Sequence, residues 1–442
     1  MHIAMVTDYY LPTLGGVQTV VKAHKEALEQ AGHTVTVFCP RHAPSENTPT
    51  EENDPHVVTL PTSRRFHPDN YPFTWPLEDT RKQLVGEFRE RAVDVVHVHS
   101  EIFAAIAGLT AARSLAIPTV QTMHGRIDVY TAHVLPVPAV STFVLAQLHR
   151  RHIPHSLKVR RSSAYTSTII ARRMWQLMVN QANYADHVVV PSQHFARKLL
   201  AQGVTRPLTV ISNGLEESVT KTIDDTNTRS LAPGEQIRIM WCGRVSPEKR
   251  PIEFIWAIAQ FPANVHVDMY GNGVQFTKVR RLIKRLGLDD RVTMHGAVPQ
   301  HDILAAMASS HLFVSTSYDF DNQPMVMLEA IATGLPILYC DPDLTEIMPP
   351  GSAILADSPV AVDISAAVRQ VAHDPSIIEH MSKNMLSEPH VAAQKTHLAS
   401  LTAVYAQLTG LPANPLAEIT EPEPVPESKP RRKKKKKRKK KV

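Results

Sequence analysis

The chain has 442 residues, of which 43% are hydrophobic and 20% charged, values typical of a globular protein large enough for two domains. Its net charge of +6 comes from the C-terminus, because residues 429–441 hold 12 lysines and arginines. The other 36 of its 48 basic residues stand against 42 acidic ones, a balance of −6. The body therefore has no general basic surface, which disfavours nucleic acid as a partner.

Cysteine and histidine usage predicts no metal centre. Cys39, Cys242 and Cys340 each end an apolar run, lie far apart and lack metal-ligand spacing, which indicates buried free thiols in a reducing compartment. The 23 histidines form no His-x3-His or Cys/His array. The N-terminus lacks the basic and apolar regions of a signal peptide, and no run of 18 apolar residues predicts a membrane span.

The first half reads as alternating strands and helices. A buried strand at 2–7 leads into the Gly15-Gly16 turn, then a helix, then a strand at 34–39. The turn is not Gly-x-Gly-x-x-Gly, so a dinucleotide fingerprint is disfavoured, and the paired glycines fit either a tight turn or close approach of a substrate. Further strands are predicted at 56–60, 93–98, 117–122 and 186–190, and residues 208–214 close this half.

A second alternating series follows a polar stretch at 216–236. Its strands are predicted at 237–242, 265–269, 292–295, 311–315, 335–340 and 352–355. The fold class is therefore α/β, with two Rossmann-like units facing across a cleft. The expected divisions are 1–215, 236–390, a terminal helix at 391–411 that can return to the first unit, and a disordered 412–442 segment with a Pro/Glu spacer and a Lys/Arg tail.

The stretch from Asp321 to Glu329 joins a strand to a helix and carries a carboxylate at each end. Pro324 is predicted at the first helical position, where its missing N–H costs nothing. The free N–H groups of a helix start favour an anion, so phosphates at the helix and hydroxyls at the acids suit a sugar nucleotide. The alternative is an ordinary βα junction with a satisfied glutamate.

Cations follow another strand of the second half, in the segment Cys242-Gly-Arg-Val-Ser-Pro-Glu-Lys249. Arg244 and Lys249 beside a glycine turn suit a diphosphate, and they would stabilise the negative charge that grows on a departing nucleoside diphosphate. A solvated surface loop is the alternative interpretation. Asp341-Pro-Asp343 has metal-site spacing but no other ligands, and is expected to be a surface turn.

Further candidates lie at other predicted strand ends. His124 follows the strand at 117–122, where it would face the cleft. The Tyr270-Gly-Asn-Gly273 turn offers close backbone access, and the segment from His295 to Pro299 fits either a wall for a nucleotide base or a plain loop.

Together these motifs resemble the retaining glycosyltransferases of family four, with the two-domain fold called GT-B. The likeness covers nearly the whole chain to about residue 408 and includes Asn213-Gly214 and Gly334-Leu-Pro336. It implies no cofactor beyond a nucleotide sugar as co-substrate, no metal, and a catalytic group of His124, Asp321, Arg244 and Lys249. The donor-binding residues that it implies are Gly15, Gly16, Arg244, Lys249, Gly296, Asn322, Gln323, Met325, Val326 and Glu329.

The resemblance also implies individual roles. Arg244 and Lys249 would hold the diphosphate, and Glu329 would bind the ribose hydroxyls. His124 would contact the donor sugar near its reacting carbon. Asp321 stands where the family has a glutamate that contacts the transferred sugar; the acid is one methylene shorter and lacks the usual glycine-containing turn after it, which leaves the donor sugar open.

The segment His124-x5-Tyr130-x2-His133 resembles the subgroup that glycosylates diacylglycerol or related lipids, with Tyr130 and His133 as acceptor residues. Between Val134 and Tyr184 the chain is apolar and basic, which fits either docking on an anionic membrane or a packed segment with a solvated basic face. The basic tail fits an anionic membrane, with other polyanions as the competing interpretation.

The expected function is transfer of a hexose, with retention, from a UDP- or GDP-linked sugar to a membrane lipid such as diacylglycerol or a glycolipid. The expected location is cytoplasmic, peripheral at the inner face of the cell membrane. Alternatives are a transferase for a soluble sugar or glucan, a GT-B nucleotide-sugar isomerase, and a non-catalytic polyanion-binding protein.

Overall fold

A computed structural model describes residues 1–11, 15–40, 54–63, 72, 74–155, 157–161, 165–215, 219, 228–232, 234–387 and 394–413. Two parallel sheets are present, which confirms the predicted pair of α/β units. Five of the thirteen strands in the described part of the chain are buried at every residue, and the strands at the sheet edges are more exposed, as expected for parallel sheets covered on both faces. The predicted tail from residue 414 onwards lies outside the described residues.

The first sheet has seven strands in the order β3-β2-β1-β4-β5-β6-β7. In chain order these are His2–Val6, Thr34–Pro40, Val57–Leu60, Val95–Val98, Thr119–Thr122, His187–Val190 and Leu208–Val210. The helices of this part are Gly16–Gln30, Leu77–Glu90, Phe103–Ser114, Ile127–Val134, Pro138–His152, Ile169–Tyr184 and Gln193–Ala201.

The second sheet has six strands in the order β10-β9-β8-β11-β12-β13. In chain order these are Ile237–Cys242, Val265–Tyr270, Val292–Gly296, Leu312–Ser315, Ile337–Tyr339 and Ala353–Leu355. The helices are Pro251–Ile258, Phe276–Arg285, Gln300–Ala308, Met325–Ala332, Ala361–His373 and Ser376–Leu386, with 3₁₀ turns at Pro247–Lys249 and Pro342–Ile347. Each strand that was predicted from the sequence lies within two residues of its observed span, and Leu208–Val210 adds a short strand within the 208–214 segment.

The last helix, Gln394–Thr409, packs on the first sheet rather than the second. Leu401, Val404 and Tyr405 are buried in one cluster with Ile3 and Met5 of β1. The Tyr405 hydroxyl also lies 2.6 Å from Nδ1 of His97 on β4. The chain therefore leaves the first sheet, builds the second and returns. Among the helices that the structure describes, none has the length and apolarity to cross a bilayer.

Candidate active site

The strand order of the second sheet reverses between β8 and β11, and side chains from both strand ends meet there. Ligands bind at this point in open α/β sheets because the loops diverge to either side. Lys249, in the 3₁₀ turn after β8, places Nζ 2.7 Å from both carboxylate oxygens of Asp321, which follows β11. Both side chains are largely buried, so Asp321 fixes the position of the ammonium group.

The Met325–Ala332 helix begins directly behind this ion pair. Pro324 is its N-cap residue with extended backbone angles, one position earlier than expected, and Met325 is the first helical residue. Pro324 and Val326 line the small cavity that also contains Lys249 and Asp321. The N–H groups of the first turn thus lie next to a fixed cation, which suits a phosphate.

Glu329 lies one turn further along the same helix and is buried. Its Oε1 accepts a hydrogen bond of 2.7 Å from Nε2 of Gln300. Burial, together with the nearby Glu329 carboxylate, raises the pKa of the Cys242 thiol to about 12, so this cysteine stays protonated. All three cysteines are free, and Cys39 and Cys340 are buried.

Two glycines after β9 let backbone loops approach each other at this edge of the sheet. A Cβ on Gly271 would lie 1.9 Å from the carbonyl oxygen of Gly243, and one on Gly273 would lie 2.6 Å from that of Val245. Both residues have positive φ, at 120° and 158°. The Tyr270–Gly273 turn therefore supports the loop that carries Arg244, which is half-buried beside it.

The end of β10 lies next to this turn. The N–H of Gly271 donates to the carbonyl of Gly296 at 2.7 Å. The His295 ring stacks on Tyr270 with ring centres 4.3 Å apart, and its Nε2 lies 2.7 Å from Oδ1 of Asp268. These contacts fix His295 and Gly296 beside the Tyr270–Gly273 turn, and their role as a wall for a nucleotide base stays a prediction.

Asn322 and Gln323 reach across the cleft to the first unit. Nδ2 of Asn322 donates to the carbonyl of His124 at 3.0 Å. Oε1 of Gln323 accepts from the backbone N–H of Asn213 at 2.6 Å. Their role in donor binding stays a prediction, and the contacts show that the stretch after β11 also holds the two units together.

Gly16 contributes from the opposite side. A Cβ at this position would lie 3.7 Å from Met325 Cγ, an ordinary contact. The φ of Gly15 is 175°, an extended conformation that any residue adopts. Backbone strain therefore does not require glycine at position 15, although a Cβ there would lie 2.7 Å from Oε1 of Gln18.

His124 is half-buried and touches a cluster of buried histidines at the carboxyl ends of β4 and β5. Its Nε2 lies 3.1 Å from Nδ1 of His99, whose ring centre is 3.9 Å from that of His97. Burial lowers the pKa of His124 to about 3 and that of His24 to about 4, so these rings are neutral. A neutral His124 acts as a hydrogen-bond partner and not as a cation.

An ionic network on one side of the cleft was not foreseen from the sequence. Arg126 is buried and contacts Asp128 at 2.7 Å and Asp319 of the second unit at 2.6 Å. Lys198 joins Asp319 at 2.9 Å and Asp343 at 2.7 Å. Arg126 and Asp319 lie in loops of different units and Lys198 lies in the Gln193–Ala201 helix, so no local motif could reveal the contact.

The prediction that Asp341-Pro-Asp343 is a surface turn is wrong for Asp341. Asp341 is buried, and its carboxylate accepts the backbone N–H groups of Asp319 at 2.7 Å and Asp343 at 3.1 Å. The turn orients the two carboxylates that hold Lys198. Its aspartates serve the contact between the units, and among the described residues no group of three or more His, Cys, Asp or Glu side chains could hold a metal ion.

Glu101 is a second residue that sequence reasoning missed. It is 5% exposed, and its Oε1 has no hydrogen-bond partner among the described residues. Burial raises the pKa of this carboxyl to about 8 despite a hydrogen bond from the His124 backbone. Its position directly after β4 is the signal that could have identified it.

The two predicted acceptor residues fall on one helix. Tyr130 and His133 lie in the Ile127–Val134 helix, which starts next to Arg126 at the cleft. Their side chains lie outside the described part of the chain.

Two facing parallel-sheet units, with a cation, an acid and a helix start at the strand ends between them, define a glycosyltransferase of the GT-B class. Residues 14–219 match the Glycosyltransferase Family 4 domain, and residues 223–387 match the domain described as Glycosyl transferases group 1. The chain belongs to the family-four glycosyltransferases and is a hexosyltransferase.

Curated relatives match over most of their length. An alpha-monoglucosyldiacylglycerol synthase of Acholeplasma laidlawii is 24% identical over 425 residues, covering 92% of this chain and 97% of the relative. A GDP-mannose-dependent alpha-mannosyltransferase of Mycobacterium tuberculosis is 25% identical, covering 77% of this chain and 79% of the relative.

Solved structures show the same fold. Sucrose-phosphate synthase of Thermosynechococcus elongatus superposes with a TM-score of 0.67 at 18% identity, covering 92% of this chain and 99% of that structure. The Anabaena protein HepE in complex with UDP gives 0.65 at 17% identity, covering 92% and 100%.

Proposed function

We propose that this enzyme transfers a hexose from a UDP- or GDP-linked sugar to a membrane lipid acceptor, such as diacylglycerol or a glycolipid, with retention of the anomeric configuration. The observation that carries the donor assignment is the Lys249–Asp321 pair at the start of the Met325–Ala332 helix. The lipid acceptor is supported by the similarity to the diacylglycerol-glycosylating relative over nearly the whole chain.

In this proposal, residues of the second unit bind the donor and residues of the first unit bind the acceptor. Arg244, Lys249 and the N–H groups at Met325 and Val326 would bind the diphosphate. They stabilise it most when the bond to the anomeric carbon breaks and negative charge accumulates on the leaving oxygen. Glu329 would accept hydrogen bonds from the ribose hydroxyls.

On the other side of the cleft the first unit holds the acceptor. The acceptor hydroxyl oxygen bonds to the anomeric carbon while the bond from that carbon to the diphosphate oxygen breaks. The hydroxyl proton passes to the departing diphosphate. Neutral His124 would hydrogen-bond the donor sugar near that carbon, and the Ile127–Val134 helix with Tyr130 and His133 would border the acceptor. Attachment at the inner face of the cell membrane, through basic residues and the tail, would supply the lipid.

The donor site is tested by variants of residues that sit at its centre. Arg244→Ala and Glu329→Gln should each reduce nucleotide-sugar binding, measured by calorimetry, by about tenfold, because each removes one charged hydrogen-bond partner. His301→Gln, at an exposed position in the second unit, is the control. Unchanged binding in both site variants, with the fold retained, would contradict the donor assignment.

A further inference from the structure

The Pro138–His152 and Ile169–Tyr184 helices expose an apolar face on the first unit. Its members are large apolar side chains that remain in solvent: Val137, Val140, Phe143, Val144 and Ile169. Phe143 is 48% exposed and Ile169 is 59% exposed. Val140, Phe143 and Val144 recur at helical spacing and so project from one side of their helix. Exposed apolar surface of this kind marks an interaction site.

A groove of about 450 Å³ runs between the two helices at this face. It is lined by Ala139, Val140, Phe143, Thr168, Ile169, Ile170 and Arg173. Arg173 donates to the carbonyl of Ala139 at 2.7 Å, and its guanidinium lies 5.3 Å from the centre of the Phe143 ring. The groove therefore has an apolar floor with a cation fixed at its edge.

The segment that carries the apolar face has no acidic residue. Residues 129–185 contain no Asp or Glu and seven basic residues, namely Arg150, Arg151, Lys158, Arg160, Arg161, Arg172 and Arg173. Removing these seven from the body's balance of −6 leaves −13 for the rest of it, so positive charge is concentrated in this segment. All but Arg172 and Arg173 are exposed, and the five exposed cations of this segment are named the cationic rim.

We propose that the apolar face and its cationic rim form a docking surface that enters an anionic lipid bilayer. Apolar side chains would lie at the boundary of the acyl chains while the lysines and arginines contact anionic headgroups. A second copy of the chain suits this surface poorly, because a two-fold contact would bring seven positive charges against seven.

The location of the surface connects it to the active site, a link that rests on the proposed function. Arg126 touches Asp319 across the cleft and directly precedes the Ile127–Val134 helix. Eight helical residues span about 12 Å. Val137 follows three residues later, so a bilayer held by the apolar face borders the acceptor side of the cleft. A lipid acceptor would then reach the site without leaving the membrane.

The test measures binding of the full chain to vesicles of phosphatidylcholine and phosphatidylglycerol in about 0.5 M salt, where the short Debye length weakens attachment by the basic tail. Phe143→Ser with Ile169→Ser should lower the partition coefficient by about tenfold or more, because two apolar side chains no longer enter the bilayer. Val274→Ser, at a 68% exposed position in the second unit, is the matched control and should change binding less than twofold.

A second measurement locates the contact. Phe143→Trp should add tryptophan emission that brominated acyl chains quench. The emission added by Val274→Trp should not be quenched. No added quenching at position 143, or equal loss of binding in the double variant and the control, would overturn the proposal. So would a change of oligomeric state in the double variant without a change in vesicle binding.

Activity measurements separate this proposal from the proposed function. The double variant should keep its turnover with a short-chain, water-soluble diacylglycerol and lose it with long-chain acceptor in vesicles. If the unsubstituted enzyme turned over no lipid at all yet bound vesicles through Phe143 and Ile169, the docking surface would stand and the proposed acceptor would fall.

Discussion

At the scale of single residues, the ion pair between Lys249 and Asp321 sets the charge of the candidate donor site. Asp321→Asn keeps the shape of the side chain and removes its negative charge. The ammonium group of Lys249 then stays largely buried without a counter-charge. We expect unfolding free energy to fall by about 1–3 kcal/mol and turnover to fall at least about tenfold. Urea denaturation and steady-state kinetics measure both.

The matched control is Glu379→Gln, which breaks an exposed pair with Lys383 and should leave the urea midpoint nearly unchanged. Asp321→Glu restores the family's acid with one more methylene and should change the ratio of turnover among hexose donors. Full activity with an unchanged donor ratio in both Asp321 variants would remove this residue from the site.

Buried histidines predict a pH dependence of stability. Burial lowers the pKa of His24 to about 4 and of His124 and His149 to about 3, and lowers those of His97 and His99 as well. In the unfolded chain these histidines bind protons as the pH falls through about 6.5, whereas in the folded chain the rings stay neutral until a lower pH. Their stabilising effect is therefore present above pH 6.5 and lost as pH falls, by up to about 1.4 kcal/mol per pH unit for each ring.

Glu101 acts in the opposite direction, because burial raises its pKa to about 8. The folded state holds a proton that the unfolded carboxyl releases, so this contribution is lost as pH rises from about 4.5 to 8. Stability should therefore peak near pH 6.5 and fall more steeply on the acid side. Urea midpoints between pH 4.5 and 8.5 test this. His149→Gln should reduce the acid slope, exposed His301→Gln should not, and a flat profile from pH 6.5 to 5 would contradict it.

Only part of the candidate site could be predicted from the sequence. Lys249 and Asp321 could be assigned to one site because each follows a strand end, and strand ends of a parallel sheet share an edge. Their direct ion pair could not be foreseen, since it depends on the path of two loops. The histidine cluster was missed for a similar reason: His24, His97 and Tyr405 come from three distant segments.

At the scale of elements, the loops after β5 and β11 meet in the Arg126–Asp319–Lys198 network. The cavity that contains Lys249 and Asp321 has a volume of about 10 Å³, about enough for one water molecule. This cavity is lined only by residues of the second unit, whereas the Arg126–Asp319–Lys198 network joins the two units beside it and would oppose their separation.

Asp319→Asn should shift the enzyme towards an open form, because Arg126 keeps Asp128 as its partner while the contact across the cleft weakens. Since Asp319 is partly exposed, we expect a change of about 1 kcal/mol in the closing equilibrium. Small-angle scattering should show a larger radius of gyration, and the KM for donor should change more than the unfolding free energy. Glu78→Gln, which breaks an exposed pair with Arg81 within one helix, is the control. An unchanged radius and KM would show that the network does not hold the cleft.

Element positions themselves followed from continuous apolar runs, so β8 and β11 fall where they were expected. Contacts between elements could not be predicted from these runs. Asp341 has the composition of a surface turn, yet it is buried because the Gln193–Ala201 helix of the other unit packs nearby through Lys198.

At the scale of the whole molecule, the charge distribution predicts two modes of membrane attachment. The 12 basic residues at 429–441 should bind an anionic surface by charge alone, and the apolar face by insertion. Removing residues 414–442 should therefore weaken vesicle binding strongly in about 0.05 M salt and little in about 0.5 M salt, where screening is severe. Neutral phosphatidylcholine vesicles are the control. Equal binding of both forms at low salt would remove the tail from the account.

Hexose transfer to a lipid is tested by offering the intact protein radiolabelled UDP- and GDP-hexoses with diacylglycerol or a glycolipid in anionic vesicles, beside soluble sugars. We expect label in the lipid fraction from one of these donors, with the anomeric configuration of the donor retained in the product. Label in a soluble sugar alone, or none in any acceptor while the protein remains folded, would contradict it.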